Sequence, residues 1–297
     1  MTGEIFMQQL ANGISLGSLY ALLAIGYTMV YGILRLINFA HGDIFMMAAY
    51  FMVFSIITFN IPWFIAIIII IIATVTLGVL VEKAAYRPLR NAPRMSIMIS
   101  AIGASFLLEN LATYLFTGVP RGFPDIKVLT STVKLGSLSL TVATLITPFV
   151  TLVLLYLVLF ITNKTKIGMA MRAVSKDFET AKLMGININQ VISITFIIGS
   201  FLAAIGAVLW GSRYPSVMPL MGVMPGLKCF IAAVLGGIGN TTGAVLGGFI
   251  LGMAEIMLIT FLPAFTGYRD AMAFVILIVV LLVKPTGLLG EKVTDKV

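Results

Sequence analysis

The stretch P62-W-F-I-A-I-I-I-I-I-I-A-T-V-T-L-G-V-L-V81 runs without a single charge, and isoleucine fills every position from 67 to 72. A helix rises about 1.5 Å per residue, so roughly 20 apolar residues cross about 30 Å of hydrocarbon. The stretch reads as a transmembrane helix, because every backbone polar group inside a bilayer needs a partner within its own segment or in a closed barrel. The strict alternation of a β-barrel is absent. Similar windows recur along nearly the whole chain, of which 60% is hydrophobic and 10% charged, with a mean hydropathy of +1.11. That composition excludes a water-soluble domain of 297 residues.

Working outward from Pro62, spans fall at about Gln9 to Gly32, Ile44 to Thr58, Pro62 to Val81, Ile97 to Phe116, Leu138 to Ile161, Val191 to Trp210, Ala244 to Phe261 and Ala271 to Val283. A further apolar segment, Met224 to Leu235, has only twelve residues and reads as a broken helix, a re-entrant piece or a short crossing. The expected fold class is all-α: a polytopic membrane helix bundle of about eight to nine spans. Residues 1–297 form a single transmembrane domain, with a cytoplasmic segment at about 162–190. Met1 to Gln9 carries no basic n-region or small-residue cleavage site, so no removable signal peptide is expected. Cys229 is the lone cysteine and forms no internal disulfide.

The net charge of +8 sits in short loops rather than on one soluble face, which argues topology and not nucleic acid. Glu82 to Arg94 holds four basic residues, and Thr162 to Gln190 holds Lys164, Lys166, Arg172, Lys176 and Lys182; both are expected in the cytoplasm. If the short segment crosses, nine passes put the N-terminus outside and the C-terminus inside, with 13 of the 19 Lys and Arg inside. If it is re-entrant, eight passes require a different end. A weak echo links G17-S-L-Y-A-L-L-A-I-G-Y-T-M-V-Y-G32 with G199-S-F-L-A-A-I-G-A-V-L-W-G211. Each is followed by a polar break and a Gly-containing apolar stretch, and the two are expected to run in opposite directions, as in an inverted repeat.

Absences narrow the function. No G-x-x-x-x-G-K-[ST] phosphate loop and no G-x-S-x-G elbow occur. With one His, one Cys and no pair of carboxylates at helical spacing inside a span, neither a catalytic centre nor a metal site is expected. Glu109 and Glu255 are acids inside spans, each a partner for a buried donor, an anchor facing a wet cavity or a proton carrier; two isolated acids make a poor proton path.

Two stretches carry more information. In V234-L-G-G-I-G-N-T-T-G-A-V-L-G-G-F-I-L-G-M-A-E255, Gly243, Gly247 and Gly248 have the spacing that lets helix backbones approach closely in lipid. The break at Gly236, Gly237, Gly239 and Asn240 is a tight turn, a place where exposed backbone lines a substrate path, or both. In the cytoplasmic segment, Ile167, Met171, Val174, Phe178 and Ala181 recur at spacings of 4, 3, 4 and 3, an amphipathic helix that lies on the membrane or docks into a soluble partner.

Together, N38-F-A-H-G-D43 after the first span and G226-L-K-C-F-I-A-A-V-L-G-G-I-G-N-T-T-G-A-V-L-G-G248 resemble the permease subunits of bacterial ABC importers for branched-chain amino acids. The likeness is greatest to the H-type permease, the smaller of the two membrane subunits, and runs from about Gln9 to Leu289. Urea and short-chain amide permeases are the nearest alternative, and an ATP-independent secondary transporter or channel or a structural scaffold are others. The resemblance implies a bacterial inner-membrane permease that binds no cofactor itself. Its implied partners are a second related permease, two cytoplasmic ATPases that hold ATP and Mg, a periplasmic binding protein, and the membrane lipid. It also implies an E-A-A-x-x-x-G coupling motif, matched at Glu179, Ala181 and Gly185 with Thr180 in the second place and no later I-x-L-P; Arg172 and Phe178 lie in the same segment.

The remaining constellation is the break I37-N-F-A-H-G-D-I-F-M46, with the only histidine in the chain. Gly42 is expected to turn the chain and Asp43 to cap the next helix, with His41 hydrogen-bonded inside a bend on the cytoplasmic side. Asn38, His41 and Asp43 are also candidates for a gate or path lining.

Overall fold

The computed structural model describes residues 3–90, 92–135 and 138–290. The basic tail residues Lys292 and Lys296 used in the topology count lie outside them. The helices are α1 (Gly3–Leu34), α2 (His41–Val53, continued by a π turn over Phe54–Thr58), α3 (Trp63–Val81, continued by π and 3-10 turns to Leu89) and α4 (Arg94–Phe116). Next come the short α5 (Lys127–Thr130), α6 (Val142–Lys164), α7 (Lys166–Lys176), α8 (Phe178–Leu183) and α9 (Ile188–Arg213). The last are α10 (Val223–Gly236), α11 (Thr241–Phe261) and α12 (Arg269–Val283, preceded by a 3-10 turn over Pro263–Tyr268). Eight of these segments are long and apolar enough to cross a membrane, and α10 is apolar but short.

Helix starts follow local chemistry. Pro62 and Pro93 immediately precede α3 and α4, where a missing N–H and a fixed φ cost nothing. Side-chain caps at Thr141, Thr165, Asp177, Asn187 and Asn240 open α6, α7, α8, α9 and α11. The expected span from Leu138 is corrected: Leu138–Thr141 is strand β3, paired antiparallel with β2 (Thr132–Leu135), and the helix begins at Val142. The alternating, β-branched text around it forms a hairpin outside the bundle. A second small ribbon joins β1 (Arg121–Gly122) to β4 (Ser216–Val217).

The core is α1, packed antiparallel on both α9 and α11. Along α1, Gly13, Gly17, Ala21 and Gly32 meet Met253, Gly252, Gly248 and Gly239 of α11 and its preceding turn, in reverse order. On its other flank Leu23 meets Gly206 and Gly26 meets Gly199, while Arg213 Nη2 donates to the Asn12 carbonyl. Glycines on α1 and α11 let these backbones approach without intervening side chains, the close packing that replaces the hydrophobic effect in lipid.

Around this core the two short helices meet head to head. Asp43, near the start of α2, lies against Ser105, which has eleven residues of α4 on either side; further along α2, Tyr50 stacks on Phe116 at the end of α4. So α2 begins at mid-depth and runs to one face. The backbone of Gly42 lies against Gly222, just before α10, and α10 runs the other way until Gly236 packs on Gly243 of α11. The pairs α1–α2 and α9–α10 are thus each a long helix, a break and a half-length helix, running in opposite senses, as the sequence echo anticipates. Gly290 lies by Gly237, at the level of the α1 C-terminus, so the two ends of the described chain are on opposite faces. This agrees with the nine-pass reading. Arg35 donates to the Ser175 carbonyl on the same face, which also carries the basic loops and is therefore cytoplasmic.

Candidate functional site

The break after α1 is a buried, polar turn. Tyr86 O–H donates to Asn38 Oδ1 at 2.9 Å, tying the turn to the end of α3, and the His41 N–H bonds to the Asn38 carbonyl at 3.2 Å. Four expectations are corrected here, the first being the turn at Gly42, which lies inside α2 where its bare backbone packs on Gly222. Helix α2 starts at His41 with Ala40 in the cap position and no side-chain cap bond, so Asp43 does not cap it. Three residues past the cap position, Asp43 instead accepts from Ser105 Oγ at 2.5 Å. It also lies at mid-span and not at the cytoplasmic surface. His41 does not bond within the bend through its side chain. Its ring packs into the notch left by Gly26 and Gly199, edge-on to Tyr27 at 5.7 Å, and its Nε2 has no hydrogen-bond partner among the described residues.

The glycine-rich break between α10 and α11 is built as a docked turn. Gly237 and Gly239 have φ of 106° and 95°, which only glycine adopts without strain. The carbonyls freed at the end of α10 are taken by the C-terminal segment: Leu288 N–H donates to Leu235 and Leu289 N–H to Gly236, both at 2.9 Å. Gly239 N–H donates to Thr28 Oγ1, and Asn240 both caps α11 at Gly243 and donates to the Leu289 carbonyl. Backbone at this break is therefore bonded to protein. Gly243, Gly247 and Gly248 lie against Gly236, Ala232 and Ala21, each too close for a β-carbon.

The acids differ from one another. Glu109 is partly buried on α4, one turn beyond Ser105, and its carboxylate has no hydrogen bond or ion pair among the described residues. Glu255 is not isolated, correcting the sequence reading. Lys228 Nζ lies 2.9 Å from Glu255 Oε2 and 2.7 Å from Asp270 Oδ1, Tyr20 O–H donates to Glu255 at 2.8 Å, and Arg269 stands 3.7 Å from its other oxygen. This network, buried at Tyr20, Lys228 and Glu255 and open at Arg269 and Asp270, joins α1, α10, α11 and α12, and only Glu255 of its members was singled out. The signal was available, since Lys228 is a lysine inside an apolar segment.

On the cytoplasmic face the expected single amphipathic helix is two. Asp177 breaks it and caps α8, accepting from the N–H of Glu179 and of Thr180. Met171, Val174 and Ala181 are buried, Phe178 is half-buried, and Ile167 and Glu179 are exposed. Arg172 donates to the Thr162 carbonyl and so braces α7 on α6. Gly185, with φ of 80°, ends the element, and the two residues before it, Leu183 and Met184, are 87% and 77% exposed. Between this element, Arg35, Arg90 and Arg94 lies a groove of about 1000 Å³.

A bundle of apolar spans with a helix pair held out on its cytoplasmic face and broken helices at its centre defines a multi-pass membrane permease. Residues 9–281 match the family described as branched-chain amino acid transport system / permease component, and the chain belongs to it. It is similar to the high-affinity branched-chain amino acid transport system permease protein LivH of Salmonella typhimurium, with 42% identity covering 98% of each chain. LivH of Escherichia coli strain K12 and BraD of Pseudomonas aeruginosa are each 41% identical, again over 98% of both chains. The chain is a transport component and a multi-pass protein of the cell inner membrane.

Proposed function

We propose that this permease carries leucine, isoleucine and valine into the cell as one membrane subunit of an ABC importer, by alternating access. The observation that carries the reading is the full-length similarity, at 41–42% identity, to proteins named for branched-chain amino acid transport. The whole chain acts as a single transmembrane domain. A second related permease completes the path, two cytoplasmic ATPases hold ATP and Mg, and a periplasmic binding protein delivers substrate. The ATPase seats on α8, whose Leu183 and Met184 are apolar and open to the cytoplasm; an exposed apolar tip on a short helix fits a groove in a partner. The buried Ala181 and the helix-ending Gly185 hold that tip in place, and Glu179 carries an exposed carboxylate on the same helix. The half-helices starting at His41 and Val223 meet beside the path, and Asn38, His41 and Asp43 shape its gate. The substrates have an apolar side chain and a zwitterionic head, and small and aliphatic lining residues pass both without holding them tightly.

The test is uptake of labelled leucine against labelled urea in cells lacking their own carriers and expressing this chain with its partner subunits. Leucine uptake that needs the ATPases is expected. Preference for urea, or full uptake by this chain alone, would overturn the reading.

A further inference from the structure

The outward surface of α4 differs from those of α3 and α6. On α6 the hydroxyl-bearing Thr144, Thr147 and Thr151 are buried, while Phe149, Leu152 and Tyr156 are exposed, the arrangement hydrocarbon favours. On α3 the exposed residues through mid-span are Trp63, Phe64, Ile65, Ile68, Ile69 and Ile72. On α4 the exposed Phe106 and Leu107 are followed by the half-buried Glu109 and the exposed Asn110. Glu109 lies seven residues before the helix ends at Phe116, which at 1.5 Å per residue is about 10 Å below that end. A short glutamate stem does not reach water from there.

Glu109 also has an acid for a neighbour, Asp43, whose hydrogen bond among the described residues comes from the Ser105 hydroxyl. No Lys or Arg among the described residues pairs with either. Asp43 is buried within the protein, but the half-buried Glu109 carboxylate, with no partner among the described residues, is disfavoured against lipid and favours a protein that brings a donor or a cation.

We propose that the face of α4 around Phe106, Glu109 and Asn110 is the surface on which the second permease subunit packs, and that this subunit presents a Lys, an Arg or hydrogen-bond donors to Glu109. This rests on the importer reading above. Charge complementarity sets the partner, and the aliphatic outer faces of α3 and α6 are left to lipid.

The test replaces Phe106, or Tyr156 on α6, by the photoreactive benzoylphenylalanine in the full chain, co-expressed with the second permease and the ATPases and irradiated in membranes. Position 106 is expected to give about tenfold more adduct with the second permease than position 156. Equal yields, or the reverse order, in an assembly that still co-purifies would overturn the proposal and leave the importer reading intact. Absence of a second permease from the purified assembly would overturn that reading and the proposal with it. As a second arm, Glu109→Lys is expected to lower recovery of the second permease about tenfold at unchanged yield of the chain itself; unchanged recovery would also overturn the assignment.

Discussion

The Lys228 ammonium lies 2.9 Å from the Glu255 carboxylate and 2.7 Å from that of Asp270, deep between α10, α11 and α12. A buried charge is tolerated here because it is shared: the lysine has two carboxylates and the Tyr20 oxygen at 3.2 Å around it. Lys228→Met removes the centre of this arrangement and leaves Glu255 buried beside Tyr20 and the half-exposed Arg269, 3.7 Å from its other oxygen. It is expected to cost about 3–5 kcal/mol, the range for stranding one member of a buried pair. Glu255→Gln leaves Lys228 on Asp270 and is expected to cost only about 1–3 kcal/mol. Thermal unfolding of the purified chain in detergent ranks the two; equal losses would show that the lysine is not the hub.

Backbone contact between α1 and α11 makes a second, sharper expectation. A β-carbon on Gly248 would stand 2.5 Å from the Ala21 nitrogen and 2.6 Å from its Cα, neither of which can move without displacing α1. Gly248→Ala is expected to lower stability by about 1–3 kcal/mol through overpacking. Gly103, on the open face of α4, has nothing within 4 Å of the same position. There alanine is expected to be neutral or to stabilise by up to about 1 kcal/mol through helix propensity. A melting-temperature series separates the two classes, and a Gly103→Ala loss as large as that of Gly248→Ala would contradict the packing account.

The His41 ring and Gly26 are coupled by shape. A β-carbon on Gly26 would lie 2.9 Å from His41 Cε1, so Gly26→Ala pushes the ring, and His41→Ala empties the notch that the ring fills. Each change alone is expected to cost about 1–3 kcal/mol. Combined, they should cost less than the sum, because the new methyl occupies part of the vacated space. A double-mutant cycle on unfolding free energies measures this, and strict additivity would mean that the ring does not depend on the notch.

How much of this was legible depended on what each residue has to satisfy locally. Span positions were, because solvation by hydrocarbon acts on every residue of Pro62 to Val81 alike. The glycine packing of Gly243, Gly247 and Gly248 was legible from spacing. Asp43 was misread because a carboxylate beside a helix start satisfies the capping rule in one dimension, whereas its partner Ser105 is sixty-two residues away on α4. The same limit hid Lys228: its partner Glu255 comes from the next helix, and Asp270 from the one after, a pairing that only the α10–α11 hairpin creates. The hairpin of β2 and β3 was lost because an apolar alternating stretch directly before a span reads as part of it. The break at Asp177 was available in the text, since an aspartate between two amphipathic runs is a helix-start signal, but the unbroken apolar spacing across it outweighed that signal.

That break gives the last expectation. Because Asp177 accepts from the N–H of Glu179 at 2.9 Å and of Thr180 at 3.3 Å, it sets the direction in which α8 leaves α7 and therefore where Leu183 and Met184 point. Asp177→Ala is expected to cost about 1 kcal/mol, the loss of one cap, and Gly185→Ala a similar amount, about 1 kcal/mol, because φ of 80° strains any residue with a β-carbon. Replacing both Leu183 and Met184 by serine removes apolar surface that is 87% and 77% exposed among the described residues, so stability should change by less than about 0.5 kcal/mol. If α8 is the seat of the ATPase, that double variant should nonetheless lose most ATP-driven uptake, at least about tenfold, while remaining in the membrane at normal level. Uptake into vesicles, measured beside ATP hydrolysis, reads the effect directly. Wild-type uptake in the serine variant would place the contact elsewhere on the cytoplasmic face, for which the basic groove lined by Arg35, Arg90 and Arg94 is the next surface to alter.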